Sequence, residues 1–341
     1  MRPERPGAAM EVPIPGTRRA GPGRIAGGSR AKSSGRRPRP PRPLPLEIPR
    51  LVLSTGCGQV FGQIMAEGHN GRKRAMAAFA EGTPCWVDAS LPDVEAGKRF
   101  YGELFGWTFG AGAGPEYGGY TQAYSRGRNV AALAPKPDGR MPTVWGIYLY
   151  TSDVYACAAR IRASGGQMVM DPQPVGPYGG AALAADPGGA VFGLWQPGTH
   201  HGFEAQQEPY TYCWSELYTR ARDAVDVFYA NVFGYVPEDQ DDAGSGVEYR
   251  LWSPPGSRPG AETAVLGRSL ITDAFPEIMP AHFLVYFAVP DCDESVATVK
   301  RLGGRVTADP FDTPYGRIAV VADNQGAVFA LLSEARTGPT P

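Results

Sequence analysis

The chain has 341 residues, a formal net charge of −1 and 43% hydrophobic residues, long and apolar enough for two domains that each bury a core. The balance conceals two unlike parts: residues 1–75 hold 15 Lys and Arg against 4 Asp and Glu, and the remainder holds 18 against 30, so nucleic-acid binding is not expected of the folded part. Five scattered cysteines, Cys57, Cys85, Cys157, Cys213 and Cys292, with no CxxC pair, argue against a zinc knuckle or a disulfide framework, and no apolar run reaches the roughly 18–20 residues of a membrane span.

Residues 1–50 carry 11 prolines and 12 Lys and Arg, a composition that buries too little apolar surface to offset the entropy of ordering. Residues 1–75 are therefore expected to be a disordered basic extension, with Met76 as the natural start of the folded protein. The basic start leads into Pro and Arg and lacks the apolar segment of a signal peptide. A reducing, cytoplasmic setting is expected.

From Thr83 the pattern becomes regular. Trp, Val and Leu within 85–91 mark a strand, Pro92 breaks it, and Asp93 is placed to cap the helix that follows. Val94, Tyr101, Leu104 and Phe105 share one face of that helix, and Gly106 ends it by taking a left-handed conformation. Strands over 120–125 and 129–133 come next. A second unit begins at Thr143 with a strand to Thr151, a helix over 153–163, a stop at Gly165-Gly166, and strands over 167–170, 181–184 and 191–195.

After a polar linker, 198–208, both units return. A shift of 128 residues pairs Cys85-Trp86 with Cys213-Trp214, Phe100-Tyr101 with Phe228-Tyr229, and Phe105-Gly106-Trp107 with Phe233-Gly234-Tyr235. Ala221, Ala224, Val225, Phe228 and Val232 form the helical stripe of this copy, and Gly234 ends it. At shifts of 137–138, Asp153 becomes Asp291, Gly165-Gly166 becomes Gly303-Gly304, and DPGGAVFGLW becomes DNQGAVFALL. A period this long means whole domains, not a solenoid. The sequence thus predicts an α+β fold of four β-α-β-β-β modules, paired into two domains over 83–197 and 209–334, with a short tail over 335–341.

The LPDV…FY…LFGW opening and the DPGGAVF closing turn resemble the vicinal oxygen chelate superfamily, the fold of glyoxalase I, extradiol dioxygenases and bleomycin resistance proteins. The tandem arrangement over about 83–334 is similar to actinobacterial glyoxalase/bleomycin resistance proteins, some described as hydroxylases. The resemblance implies two curved sheet cups, with metal ligands on the first strand of each module and near the end of the last. Aligned on Leu91-Pro92-Asp93, the first-strand station falls at Trp86 and, in the second domain, at Trp214. The later modules place Gly146 and Leu284 at that station, and the closing-strand position falls at Gly193 and Ala330. None of the six binds a divalent metal in the usual way, so neither a metal nor another cofactor is expected.

The side chains leave little else for metal or covalent chemistry. There are four histidines: His69 in the basic extension, His200-His201 expected to be solvated in the linker, and His282 on an inward strand position without companions. The acidic loop 238–242 fails as a calcium loop, since Arg250 stands where a Glu is needed. The GAGAGP run over 110–115 opens no helix and cradles no phosphate. No nucleophile elbow is present, and Cys85 and Cys213 should point away from the cups as packing thiols.

Strand alternation puts Asp88 on the face of Trp86 and Glu216 on the face of Trp214, so each cup should show an indole beside a carboxylate. Tyr148, Tyr150 and Tyr286 fall on the same inward faces, with His282. Trp86, Asp88, Tyr148, Tyr150, Trp214, Glu216, His282 and Tyr286 are accordingly the candidate ligand-binding residues for a small, aromatic molecule. The same rings could instead fill a core, and the carboxylates could pair with arginines distant in sequence. Three readings stay open: a metal-free binding protein for sequestration or an accessory biosynthetic role, an enzyme of the lyase, dioxygenase or hydroxylase type, or an oligomerising protein, with a homodimer as the candidate assembly.

Overall fold

The computed structural model describes residues 79–113, 118–136, 138–240, 248–313 and 315–334. The basic extension over 1–75 with Cys57 and His69, Met76, Pro314, the 335–341 tail, and parts of the GAGAGP run and of the acidic loop lie outside the described residues.

Four modules follow one another. The first is β1 (Pro84–Leu91), α1 (Val94–Phe105), β2 (Thr108–Phe109), β3 (Thr121–Ser125) and β4 (Arg128–Pro135). The second is β5 (Val144–Tyr150), α2 (Val154–Ala163), β6 (Gln167–Val175), β7 (Gly179–Ala185) and β8 (Val191–Pro197). The third is β9 (Tyr212–Thr219), α3 (Arg222–Phe233), β10 (Val236–Gln240), β11 (Tyr249–Ser253) and β12 (Leu266–Leu270). The fourth is β13 (His282–Ala288), α4 (Cys292–Arg301), β14 (Arg305–Thr313), β15 (Gly316–Ala322) and β16 (Val328–Ser333).

Local chemistry sets the helix ends. The Asp93 carboxylate accepts the Ala96 N–H at 3.0 Å, Asp153 accepts from Tyr155 and Ala156, and Asp291 accepts from Glu294. Where the third module has Ala221 in place of a capping acid, the Thr219 hydroxyl takes the Ala221 N–H instead. Gly106 and Gly234 close α1 and α3 at φ 67° and 71°, which only glycine adopts without strain.

Consecutive modules share a sheet. The orders are β2-β3-β4-β1-β5-β8-β7-β6 and β10-β11-β12-β9-β13-β16-β15-β14. In each, the first strands of the two modules pair antiparallel at the centre, bringing Asp88 opposite Gly146 and Glu216 opposite Leu284. Val87, Ala89 and Leu91 point back towards α1 and are fully buried, which leaves Trp86, Asp88 and Ser90 on the opposite, cup face.

The backs of the two sheets and their helices meet in one aromatic core. Trp145 and Phe105 lie 4.9 and 5.1 Å from Phe287 of the other domain, and Phe192 lies 5.9 Å from Tyr229. Two reciprocal bonds cross this core. The Tyr101 hydroxyl of α1 donates to Asp323 at 2.9 Å, and the Tyr229 hydroxyl of α3 donates to Asp186 at 3.2 Å. Each aspartate closes the DxxGA turn of its own sheet, Asp186 by accepting from Gly188 and Ala190, Asp323 by accepting from Gln325 and Ala327. This contact shifts the buried stripe of α3 from the sequence expectation: Tyr229 and Phe233 are buried, and Ala224 is exposed.

Candidate functional site

In the first cup the Trp86 indole donates to the Tyr120 hydroxyl at 2.7 Å, and Tyr120 donates to Asp88 Oδ2 at 3.0 Å. The Tyr148 hydroxyl is the second donor to this carboxylate. Asp88 is 6% exposed, and burial pushes its carboxyl up to about 6, the two phenols pulling the other way. Rings surround it in place of basic groups.

The second cup repeats the motif with one more donor. Trp214 donates to the Tyr249 hydroxyl at 3.2 Å and Tyr249 to Glu216 Oε1 at 2.9 Å, while Tyr286 and Tyr218 donate to Oε2 at 2.7 and 2.9 Å. Burial raises the Glu216 carboxyl too, against these bonds. Among the described residues neither carboxylate pairs with arginine; the phenols meet the need of a buried acid. Ile271, Phe275 and Met279, from the segment joining β12 to β13, close over this cup and are all buried.

The structure brings seven of the eight expected residues to these two clusters. Trp86, Asp88 and Tyr148 meet in the first, and Trp214, Glu216 and Tyr286 in the second. His282 stacks on Tyr218 at 5.3 Å and 10°, its Nδ1 lying 2.9 Å from the Pro280 carbonyl, and burial lowers its pKa. Tyr150 stands apart at the strand end, its ring 6.3 Å from Phe79. Sequence reasoning missed Tyr120, Tyr249 and Tyr218, of which Tyr218 was open to the same alternation argument that found Glu216.

Two expectations are corrected. His200 is not solvated: its ring packs edge-on to Trp86 at 4.5 Å and near Trp195, and burial lowers its pKa to about 4. The linker around it folds back on the first cup, where Phe203 and Ala205 are buried. The cysteines do not simply alternate away from the cups. A register shift falls at Cys85 and at Cys213, their thiols turn to the carbonyls of Tyr148 and Tyr286, and Cys213 packs with the second cup cluster.

Residues 86–194 match the model of the glyoxalase/bleomycin resistance protein/dioxygenase superfamily. The chain is 37% identical over 262 residues to CFP32 of Mycobacterium tuberculosis, a protein carrying the name glyoxylase, with 75% of this chain and 97% of that protein covered. It belongs to the glyoxalase/bleomycin resistance protein/dioxygenase superfamily. Within that superfamily it is also 38% identical over 277 residues to the anthracycline biosynthesis protein DnrV of Streptomyces peucetius, covering 77% of this chain and 97% of that protein. The Mn(II)-bound glyoxalase of Novosphingobium aromaticivorans matches with a TM-score of 0.50 at 17% identity, over 76% of this chain and 84% of its own, a likeness of fold alone.

A divalent metal such as the Mn(II) of that glyoxalase does not fit the described residues. At the stations that the resemblance implies, the first cup offers Trp86, Gly146 and Gly193, and the second offers Trp214, Leu284 and Ala330. The Tyr148 ring also lies over Gly193, so close that a Cβ there would stand 2.2 Å from its Cδ1. Among the described residues no three His, Cys, Asp or Glu side chains converge as a metal site.

Proposed function

We propose that this superfamily member is a metal-independent small-molecule binding protein and that its first cup takes an aromatic or amphipathic ligand. The observation that carries the reading is the Trp86–Tyr120–Asp88–Tyr148 cluster, an indole and two phenols around one buried carboxylate, on a face that stays partly open. Gly146, Tyr148 and Tyr150 of β5 are part-exposed, whereas Leu284, Tyr286 and Ala288 of β13 are buried. Aromatic walls around one fixed polar group suit a planar ligand. An accessory role in the metabolism of polycyclic aromatics, or their sequestration, accords with the relationship to an anthracycline biosynthesis protein. The four described cysteines are free and buried, which suits a reducing cytoplasm. No helix among the described residues is long and apolar enough to cross a membrane.

The test is metal analysis of the purified protein beside tryptophan-fluorescence titration with planar aromatics, from 2-naphthol to hydroxyanthraquinones. Saturable quenching without stoichiometric metal is the expected result. Stoichiometric metal on which binding depends would overturn the reading. One observation favours a second reading, an acid–base enzyme: the Asp88 carboxyl, displaced to about 6, sits where a proton could be exchanged near neutral pH. Deuterium exchange into a bound ketone, lost in Asp88→Asn, would support it.

A further inference from the structure

The two cups are copies of one design, so each shows what the other lacks. Ser90 and Val144 face each other across β1 and β5, as Tyr218 and His282 do across β9 and β13. In the second cup the Tyr218 ring stacks on His282, its hydroxyl supplies the third bond to Glu216, and Leu284 packs beside it. In the first cup the three corresponding residues are Ser90, Val144 and Gly146. Ser90 and Gly146 are part-exposed, and Val144 is 41% exposed.

This shelf leads to the carboxylate. A Cβ built on Gly146 would lie 3.2 Å from Asp88 Oδ1, so the absent side chain leaves that oxygen bordering the open face. Two phenols reach Asp88 among the described residues, against three for Glu216. The described residues of the segment joining β4 to β5 bury no side chain against the shelf. Gly139, Arg140, Met141 and Pro142 are exposed and Lys136 is part-exposed, whereas its counterpart folds Ile271, Phe275 and Met279 over the second cup.

We infer that the first cup binds a phenol, whose hydroxyl donates to Asp88 and whose ring lies over Val144 and Gly146, the place Tyr218 takes against Glu216 in the second cup. The second cup is occupied by its own tyrosine and binds nothing comparable. A phenol adds a further donor to a buried carboxylate as the protein's own tyrosines do, and an apolar ring without a donor cannot. This inference rests on the binding reading and names the ligand class for the same site.

Isothermal titration of the full chain with 2-naphthol and with 2-methoxynaphthalene, equal in shape but lacking the donor, tests it without any variant. Expected are one site per chain and at least tenfold tighter binding of the naphthol. Ser90→Tyr, which supplies the third donor internally, should weaken 2-naphthol at least tenfold, with Ser90→Ala close to wild type. Gly146→Leu serves as a second blocking variant if Ser90→Tyr melts early. Equal affinity for the two naphthalenes, or undiminished binding in both blocking variants, overturns the inference and leaves the binding reading standing. No heat and no tryptophan quenching with either compound or with any hydroxyanthraquinone overturns both.

Discussion

Replacing Asp88 by its uncharged isostere should make the protein more stable while removing the carboxylate proposed to hold the ligand. In the folded state the Asp88 carboxyl titrates at about 6 against an ordinary 3.8, mainly because burial penalises the anion. The fold therefore holds this proton more tightly than the unfolded chain does. Below about pH 4 both states are protonated and nothing is lost; between pH 4 and 6 ionisation draws the balance towards the unfolded state; above pH 6 the loss is constant. The full displacement corresponds to about 3 kcal/mol, of which roughly half is present at pH 5. Asp88→Asn retains a carbonyl acceptor for the Tyr120 hydroxyl and carries no charge to desolvate. Urea unfolding of wild type and variant at pH 5, 6.5 and 8 should show a stability gain that grows by about 1–2 kcal/mol across that series and then levels. Glu216, Asp186 and Asp226 are also raised and tilt the wild-type profile the same way, so only the difference between the two proteins reports on Asp88. A difference independent of pH, or a variant that loses stability most at pH 8, would refute the reasoning.

Tyr101→Phe removes a bond to Asp323 and the acceptor of the Trp145 indole, and should cost about 1–3 kcal/mol in urea unfolding. Tyr229→Phe removes only the bond to Asp186, and the same assay should find it the milder of the two. Gly193→Ala drives a methyl into the Tyr148 ring and should lower stability by about 1–3 kcal/mol, with altered near-ultraviolet circular dichroism as the sign that the cup has rearranged. His200 is held neutral by burial, so acidification from pH 6.5 towards 4 works against its packed position. The melting temperature of His200→Phe should accordingly fall less than that of wild type over this range.

Much of the architecture was legible because duplication wrote it twice. Paired Trp, Phe-Tyr and Gly positions gave the modules, and strand alternation set Asp88 beside Trp86 and Glu216 beside Trp214. The cluster around each carboxylate was harder to see. Tyr120 and Tyr249 come from the loop side of β3 and β11 and sit 129 residues apart, so the 128-residue shift pairs Tyr120 with Glu248 and hides the match. His200 was obscured by its polar neighbours, whose composition says nothing about the chain folding back. The cysteines defeated alternation because a bulge resets it at that residue. The Tyr101–Asp323 and Tyr229–Asp186 pairs join residues from opposite halves, and no local pattern encodes such a meeting.

Those crossed tyrosine bonds bear on how the molecule can diverge. Each half seals a turn of the other, an arrangement that two identical chains could satisfy about a twofold axis. Identical chains would carry every substitution in both cups at once, so a serine at one rim and a tyrosine at the other would be out of reach. Fusion into one polypeptide lifts that constraint: one half can specialise as scaffold, plugged from within, while its twin remains free to explore new chemistry on a foundation that no longer changes.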